Sequence, residues 1–235
     1  MTTEGTVTSL AGRLAGNEVH ARFADHDFFK QVHSRPLTHE QVETYLGQWW
    51  HPLHYFTTFL ARCIAVLPDI ESKSAITRIL SQEAGAGSAR GAHEVIYERS
   101  MAKAGYDPVR VTGSAPYPET ADLIACYERL SGERFTALGG IYATEVTDLL
   151  MVSSIGEAVS RESGAARNAW VDIHVAQEPD HVEEANHALL DGFSPEDELT
   201  VLKAAEEMWG CWTAFFDRLS EETGVAASSG RRRDE

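Results

Sequence analysis

The chain has 235 residues, of which 43% are hydrophobic, and a formal net charge of -16 at pH 7. This length and hydrophobic content suit one domain with one large core. The negative charge would repel phosphate backbones and anionic lipid, which argues against nucleic acid or a membrane as the main partner and favours a small molecule.

The beginning of the chain, MTTEGTVTSLAGRL, lacks the basic region and apolar stretch of a signal peptide. No apolar run reaches the roughly 20 residues that span a bilayer, so we expect a cytoplasmic protein. The three cysteines are odd in number and widely spaced, and they predict buried free thiols rather than a disulfide framework.

Apolar residues recur at helical spacing almost throughout the chain. The clearest segment runs from a cap at Thr38 to about Leu67, where Pro68 stops it. No alternating pattern of strand length is present, so the predicted fold class is all-α, a compact bundle of about seven helices. Besides the first segment, the pattern predicts helices over 7–20, 70–104, 117–131, 134–160, 166–178, 180–190 and 195–219.

The domain boundary is predicted near the end of the last helix. Residues 1–220 are expected to form a single domain. Residues 221–235 are small, polar and then charged, so they offer nothing to a core and are predicted to be a disordered tail.

The segment from Glu83 to His93 contains three glycines within the helix predicted over 70–104. On one continuous helix these two side chains would lie about 80° apart around the axis and about 15 Å apart along it. One metal ion could not easily bind both, but two ions could, one on each residue, especially if the glycines let the helix unwind. Alternatively, the glycines allow close helix packing and Glu83 is merely solvated.

Glu145 stands in an otherwise largely apolar helix, predicted over 134–160. Burying this carboxylate without a partner would cost several kcal/mol. A metal ion would serve as the partner, and a bridging position between two ions suits a central glutamate. Asp148, one turn later, could carry this role instead or lie at a water-facing edge.

His174, Glu178 and His181 are spaced four and three residues apart, which places them on one helix face. Imidazole and carboxylate together suit iron, manganese or zinc, although single histidines are more often surface or satisfied core residues. Pro179 disfavours helix at the preceding residue. We therefore expect a kink, with Asp180 as a reserve ligand if the kink turns it inward.

Together, these three segments resemble the haem-oxygenase-like di-iron oxidases, a group also described as iron-containing redox enzymes. The family pattern is Glu-x-Gly-x-Gly-x5-His, then a single Glu, then His-x3-Asp-x2-His, and it appears here in that order over about residues 40–217. Glu178 stands where the family usually has aspartate, which keeps the carboxylate but lengthens its reach. The resemblance implies a haem-oxygenase-like bundle and a ligand set for two Fe(II) ions: Glu83, His93, Glu145, His174, Glu178 and His181.

The resemblance also implies a reaction, in which the two Fe(II) ions activate dioxygen as a co-substrate. The expected substrate is a small amino acid or related carboxylate of specialised metabolism, changed by desaturation, cyclisation, fragmentation or N-oxygenation. Arg90 is the candidate anchor for its carboxylate, and Tyr142 and His54 are candidate pocket residues. A homodimer is expected from the fold, and an external electron donor is a further candidate partner.

Three other classes share part of this pattern. Metal-free thiaminase-like or quinone-cofactor-forming enzymes have the same bundle, but the thiaminase-type cysteine is expected near Glu145, where none stands. A ferritin-like protein needs two Glu-x-x-His motifs, and only Glu178 with His181 fits. A non-catalytic helical binding protein would retain the fold without metal, so metal content separates it from the oxidases.

Overall fold

The computed structural model describes residues 9–189 and 192–224. Every regular element in these ranges is helical, which confirms the all-α prediction. The described residues form a 3-10 turn, Ala89–Gly91, and eleven α-helices: α1 (Leu10–Ala15), α2 (Glu18–Ala24), α3 (Asp27–Ser34), α4 (His39–Val66), α5 (Ile70–Glu83), α6 (His93–Ala104), α7 (Pro108–Thr112), α8 (Pro118–Leu130), α9 (Arg134–Ser163), α10 (Ala169–Ala188) and α11 (Pro195–Glu222).

These helices are more numerous than the bundle of about seven that was predicted, partly because short loops divide two of the predicted segments. The segment over 7–20, of which residues 7 and 8 lie outside the described ranges, is divided where Asn17 caps α2 by accepting a hydrogen bond from the Val19 amide. The segment over 70–104 is divided into α5 and α6. The short helices α3 and α7 were not predicted.

The opposite difference occurs around Pro179. The segments predicted over 166–178 and 180–190 form one helix, α10, which continues through the proline. Residue 190 lies outside the described ranges. Proline removes one backbone hydrogen bond but does not by itself end a helix that is packed on both sides of it.

The long helix α9 lies at the centre of the bundle, in contact with α4, α10 and α11. Its approach to α11 depends on Gly139, because a Cβ there would lie 2.3 Å from the Val201 carbonyl oxygen. Helix α9 also packs against α10, which in turn contacts α5 and α6. The helices that carry the predicted ligands therefore meet in the interior.

The helix predicted from Thr38 is confirmed as α4, which the Thr38 hydroxyl and the Gln41 side chain cap reciprocally. None of the helices in the described ranges is both long and apolar enough to cross a lipid bilayer. Of the tail predicted over 221–235, the first two residues complete α11 and Thr223 is buried. Residues 225–235 lie outside the described ranges.

Candidate metal centre

The six predicted ligand residues converge in the interior of the bundle. They come from the end of α5, the start of α6, the middle of α9 and one face of α10. Their exposed fractions lie between 1% and 4%, so bulk water does not solvate them. The six, in chain order, are Glu83, His93, Glu145, His174, Glu178 and His181.

Their donor atoms form two groups, within each of which the atoms lie no more than 4.8 Å apart. Glu83, His93 and His174 make up the first group, and Glu145, Glu178 and His181 make up the second. Of the three α10 residues, His174 thus belongs to the first group, whereas Glu178 and His181 belong to the second. Glu83 and His93, which were expected to reach different metal ions, lie in the same group.

Glu83 is the carboxylate with close contacts to both groups. Its Oε2 lies 2.9 Å from His93 Nδ1, and its Oε1 lies 3.9 Å from His181 Nδ1. Glu145 Oε2 lies 3.4 Å from the same nitrogen of His181. Since Glu83 faces histidines of both groups, the bridging position predicted for Glu145 is equally open to Glu83.

The loop between α5 and α6 explains why Glu83 and His93 meet. Gly85, Ala86 and Gly87 have φ values of 84°, 50° and 87°, a left-handed run that reverses the chain immediately after Glu83. The separation of about 15 Å expected on one continuous helix is thereby replaced by a contact of 2.9 Å. The glycines of the motif are needed for this turn rather than for close helix packing.

We expect Gly85→Ala to disrupt this turn and to weaken metal binding. A Cβ at Gly85 would lie 2.3 Å from the Ser88 carbonyl oxygen, whereas a Cβ at Gly87, which has a similar φ, meets nothing within 4 Å. Gly87→Ala is therefore the matched control and should cost only the left-handed penalty of about 1–2 kcal/mol. Thermal unfolding and bound Fe(II) would be measured for both variants, and equal losses in the two would contradict this account.

The three histidines are oriented by hydrogen bonds from outside the two groups. In each ring one nitrogen meets a protein oxygen, which holds an N–H there and turns the other nitrogen towards the two donor groups. The pairs are His93 Nε2 with Gln177 Oε1 at 3.0 Å, His174 Nδ1 with Trp170 O at 2.8 Å, and His181 Nε2 with Gln82 Oε1 at 2.7 Å.

Gln82 and Gln177 were missed in the sequence, although each directly precedes a predicted ligand. Neighbouring residues on a helix point about 100° apart, so each glutamine turns away from the ligand beside it. Each reaches a ligand of a different helix instead, and only the tertiary structure brings those pairs together.

Four carboxylate oxygens in or beside the second group lack hydrogen-bond partners in the described residues. Both oxygens of Glu178, Glu145 Oε1 and Asp148 Oδ2 are buried and make no hydrogen bond there that meets the usual geometric criteria. Burial, followed by the charges of Asp148 and Glu145, raises the pKa of Glu178 to about 12. Burial and the charge of Glu145 also raise the pKa of Asp148 to about 7. Such crowding favours a cation at this position.

The pKa values of His174 and His181 shift in opposite directions. Burial lowers the pKa of His174 to about 4, which keeps it neutral. Burial would also lower the pKa of His181, but the hydrogen bond and charge of Glu145 outweigh it and raise this pKa to about 9. For Glu83, burial is outweighed by His93 and the other two histidines, so its pKa is lowered.

These observations fit a pair of divalent cations held by carboxylates and imidazoles. The oxygen and nitrogen donors are of the kind that iron, manganese and zinc accept. Asp148, left open as an alternative to Glu145, lies beside Glu178 as an additional carboxylate. Asp180 is exposed whereas Glu178 is buried, so Asp180 does not join the group.

A cavity of about 30 Å³ adjoins the two groups. Glu83, Glu145, Asp148 and two of the histidines form its polar wall. The remaining wall is mainly aromatic and apolar: Trp49, Pro52, Leu53, Phe56, Tyr127, Thr144, Trp170 and Trp212.

The three residues predicted to bind substrate do not line this cavity. Arg90 lies exposed on the 3-10 turn, and Tyr142 is buried elsewhere along α9. His54 is exposed and pairs with Glu94 at 2.8 Å. The sequence placed Arg90 one turn before His93 on a continuous helix, and the break between α5 and α6 removes that relation.

Comparison with protein families finds one that matches most of the chain. A model of the family described as iron-containing redox enzyme matches residues 43–214, a range that contains all six residues of the two groups. Comparison with curated proteins finds no match.

Solved structures with a similar fold cover nearly the whole chain. A domain of unknown function with a heme oxygenase-like fold from Shewanella denitrificans has a TM-score of 0.74 at 20% identity, covering 99% of this chain and 100% of its own. A CADD-like protein of unknown function from Nostoc punctiforme has a TM-score of 0.74 at 14% identity, covering 91% and 95%. A TenA homologue from Pseudomonas syringae pv. tomato has a TM-score of 0.72 at 15% identity, covering 94% and 99%. These likenesses confirm the haem-oxygenase-like fold.

Proposed function

Because the chain belongs to the iron-containing redox enzyme family, we propose that it is a non-haem oxidoreductase that binds two Fe(II) ions and uses dioxygen to oxidise a small organic molecule. The observation that carries this proposal is the pair of buried three-residue donor groups joined through Glu83. A single metal ion would need only one of these groups. Two groups this close together favour a centre with two ions.

The ligands in this proposal are the six residues of the two groups. When bound, the two Fe(II) ions would supply electrons for the reduction of dioxygen. The chain contributes the orientation of the ligands through Gln82, Gln177 and the Trp170 carbonyl. Preset ligands of this kind typically raise metal affinity tenfold to a hundredfold over ligands without such support.

The cavity wall supports the same function. Its tryptophan and phenylalanine side chains exclude bulk water from the site, which strengthens electrostatic interactions there and limits side reactions. Asp148 lines the cavity and lies beside Glu178, which places an additional carboxyl group at the cavity wall.

A small amino acid is the proposed substrate, oxidised at an unactivated C–H bond or at its amine. A metal-free thiaminase-like activity is the second candidate, since a TenA homologue has the same fold. That activity is expected to need a cysteine at the site, and no cysteine is among the described residues that line the cavity. The cavity therefore favours the metalloenzyme.

The test is to load metal-free protein with Fe(II) under anaerobic conditions, measure iron per chain, and follow oxygen consumption while amino acids are screened. We expect about two irons per chain and faster oxygen uptake with one class of substrate, with an oxidised product detected by mass spectrometry. Absence of iron uptake, with His174→Ala indistinguishable from the unaltered protein, would overturn the proposal.

A further inference from the structure

The cavity beside the two donor groups is too small for the substrate. A cavity of about 30 Å³ exceeds the roughly 10–15 Å³ that one water needs by the same measure, so it can hold one or two waters or a dioxygen molecule. Sites for small organic ligands are usually several hundred Å³. A substrate of amino-acid size must therefore occupy additional space.

That space lies directly beside the cavity. An outer pocket of about 240 Å³ opens between α4 and the loop that joins α5 to α6. Leu53 and Glu83 line both the cavity and the outer pocket, so they form the partition between them. The other walls of the outer pocket are small or apolar, apart from one hydroxyl and one carboxylate: Thr57, Ala84, Ala89, Ala92, Glu94 and Val95.

Leu53 is the part of this partition that no polar contact holds in place. Glu83 is held by His93, whereas the Leu53 side chain is apolar and 9% exposed. The residue before it, Pro52, lacks the amide hydrogen that would bond the Gln48 carbonyl, so this turn of α4 has one hydrogen bond fewer. Rotation of the Leu53 side chain would connect the two spaces.

The outer pocket carries negative charge. No lysine or arginine is among the described residues that line it, and Glu94, which also pairs with His54, faces it. Glu83 lines it as well, but in the proposed function the charge of Glu83 is taken up by the metal ions. A carboxylate entering the outer pocket would meet the like charge of Glu94, whereas a protonated amine would meet an opposite one.

We propose that the outer pocket is the substrate-binding site, with Leu53 as its inner gate, and that it selects a small amine with an apolar chain. The ammonium group lies near Glu94, and the apolar chain lies against the alanines and Val95. A carboxylate on the same molecule must lie at the mouth, towards solvent. This inference rests on the proposed function, because it concerns the substrate of that metal centre, and it replaces the role predicted for Arg90.

The binding test uses the full-length protein, loaded with Fe(II) under anaerobic conditions, with hexylamine and hexanoate as matched probes. Binding is followed by calorimetry and by tryptophan fluorescence, since Trp49 lines the adjoining cavity. We expect hexylamine to bind and hexanoate to bind at least tenfold more weakly. Glu94→Gln should reduce hexylamine affinity about fivefold to tenfold, as loss of a partly exposed charge pair would. Equal binding of the two probes would overturn the inference.

Two further variants test whether hexylamine affinity depends on the outer pocket or on the charge of the protein in general. Glu128→Gln removes an exposed carboxylate on α8, away from the pocket, and should leave hexylamine affinity unchanged. Val95→Trp should fill the outer pocket and abolish hexylamine binding, with thermal unfolding confirming that the variant is folded. Unchanged hexylamine affinity in Val95→Trp would place the amine elsewhere and overturn the inference.

Iron measurements keep this inference distinct from the proposed function. Leu53→Trp should retain the iron content of the unaltered protein but slow amine-dependent oxygen uptake, because the gate is blocked. Iron uptake without amine binding would overturn the pocket assignment and leave the di-iron proposal standing. Amine binding without iron uptake would overturn the di-iron proposal, and with it the role of the outer pocket as a substrate site for that centre, while leaving the pocket as an amine-binding site.

Discussion

Replacing Glu83 with alanine is expected to reduce bound iron from about two per chain to well below one. Glu83 faces His93 of the first group and His181 of the second, so both metal positions lose a ligand. His174 belongs to the first group only, so His174→Ala should retain about one iron. Fe(II) affinity at each affected position should fall by more than the tenfold to hundredfold that loss of a supporting residue costs.

Iron per chain after anaerobic loading and desalting would be measured for both variants. His187→Ala is the matched control, because His187 also lies on α10 but is exposed and outside both groups. It should bind as much iron as the unaltered protein. Retention of two irons by Glu83→Ala would show that Glu83 does not join the two positions.

Three of the six donor residues could be predicted from local spacing alone, and the resemblance to a known family supplied the other three. Positions four and three residues apart share a helix face in any α-helix, so His174, Glu178 and His181 were found without tertiary information. All three are buried on one side of α10, as that spacing requires. The cap at Thr38 predicted the start of α4 for the same reason.

The division of these residues into two groups could not be predicted. It depends on the loop after Glu83, and helical periodicity does not reveal that three successive left-handed residues end α5 there. His93 consequently faces Glu83 directly instead of lying two to three turns away. The glycines signalled that the helix could break, but not where His93 would then lie.

The substrate pocket was equally hidden in the sequence. Arg90 was chosen for its charge and its distance from His93 along the chain, but the structure leaves it on an exposed turn. Most of the outer pocket is built from alanines, Leu53 and Val95, which carry no chemical signal of their own, and Glu94 looks in the sequence like an ordinary surface carboxylate. Such a site arises from the space between helices, which no spacing rule encodes.

Glu178→Gln is expected to affect the metal-free and the iron-loaded protein in opposite directions. In the described residues both Glu178 oxygens are buried and make no hydrogen bond that meets the usual geometric criteria. Glutamine keeps the shape of the side chain and removes its tendency to ionise. The variant should therefore stabilise the metal-free protein against unfolding while weakening metal binding, because an amide is a poorer ligand than a carboxylate.

The raised pKa of Glu178 determines how the stability of the metal-free protein changes with pH. The pKa of Glu178 is about 12 in the folded chain against an ordinary value of 4.5, so above pH 4.5 the unfolded state releases a proton that the folded state keeps. The contribution of this carboxyl group to the free energy of unfolding is therefore fully present below its ordinary pKa. It is lost as the pH rises towards the folded pKa, by up to about 1.4 kcal/mol per pH unit. Glutamine has no proton to lose, so the advantage of the variant should grow between pH 6 and pH 8.

Urea unfolding at several pH values, with and without Fe(II), would measure both effects. Glu183→Gln, an exposed change on the same helix, should shift stability by no more than about 0.5 kcal/mol in either state. If Glu178→Gln instead destabilised the metal-free protein, Glu178 would have to be a satisfied structural residue. A gain without metal together with a loss with metal would mean that this carboxylate is kept for the cation it binds, at the expense of the stability of the empty fold.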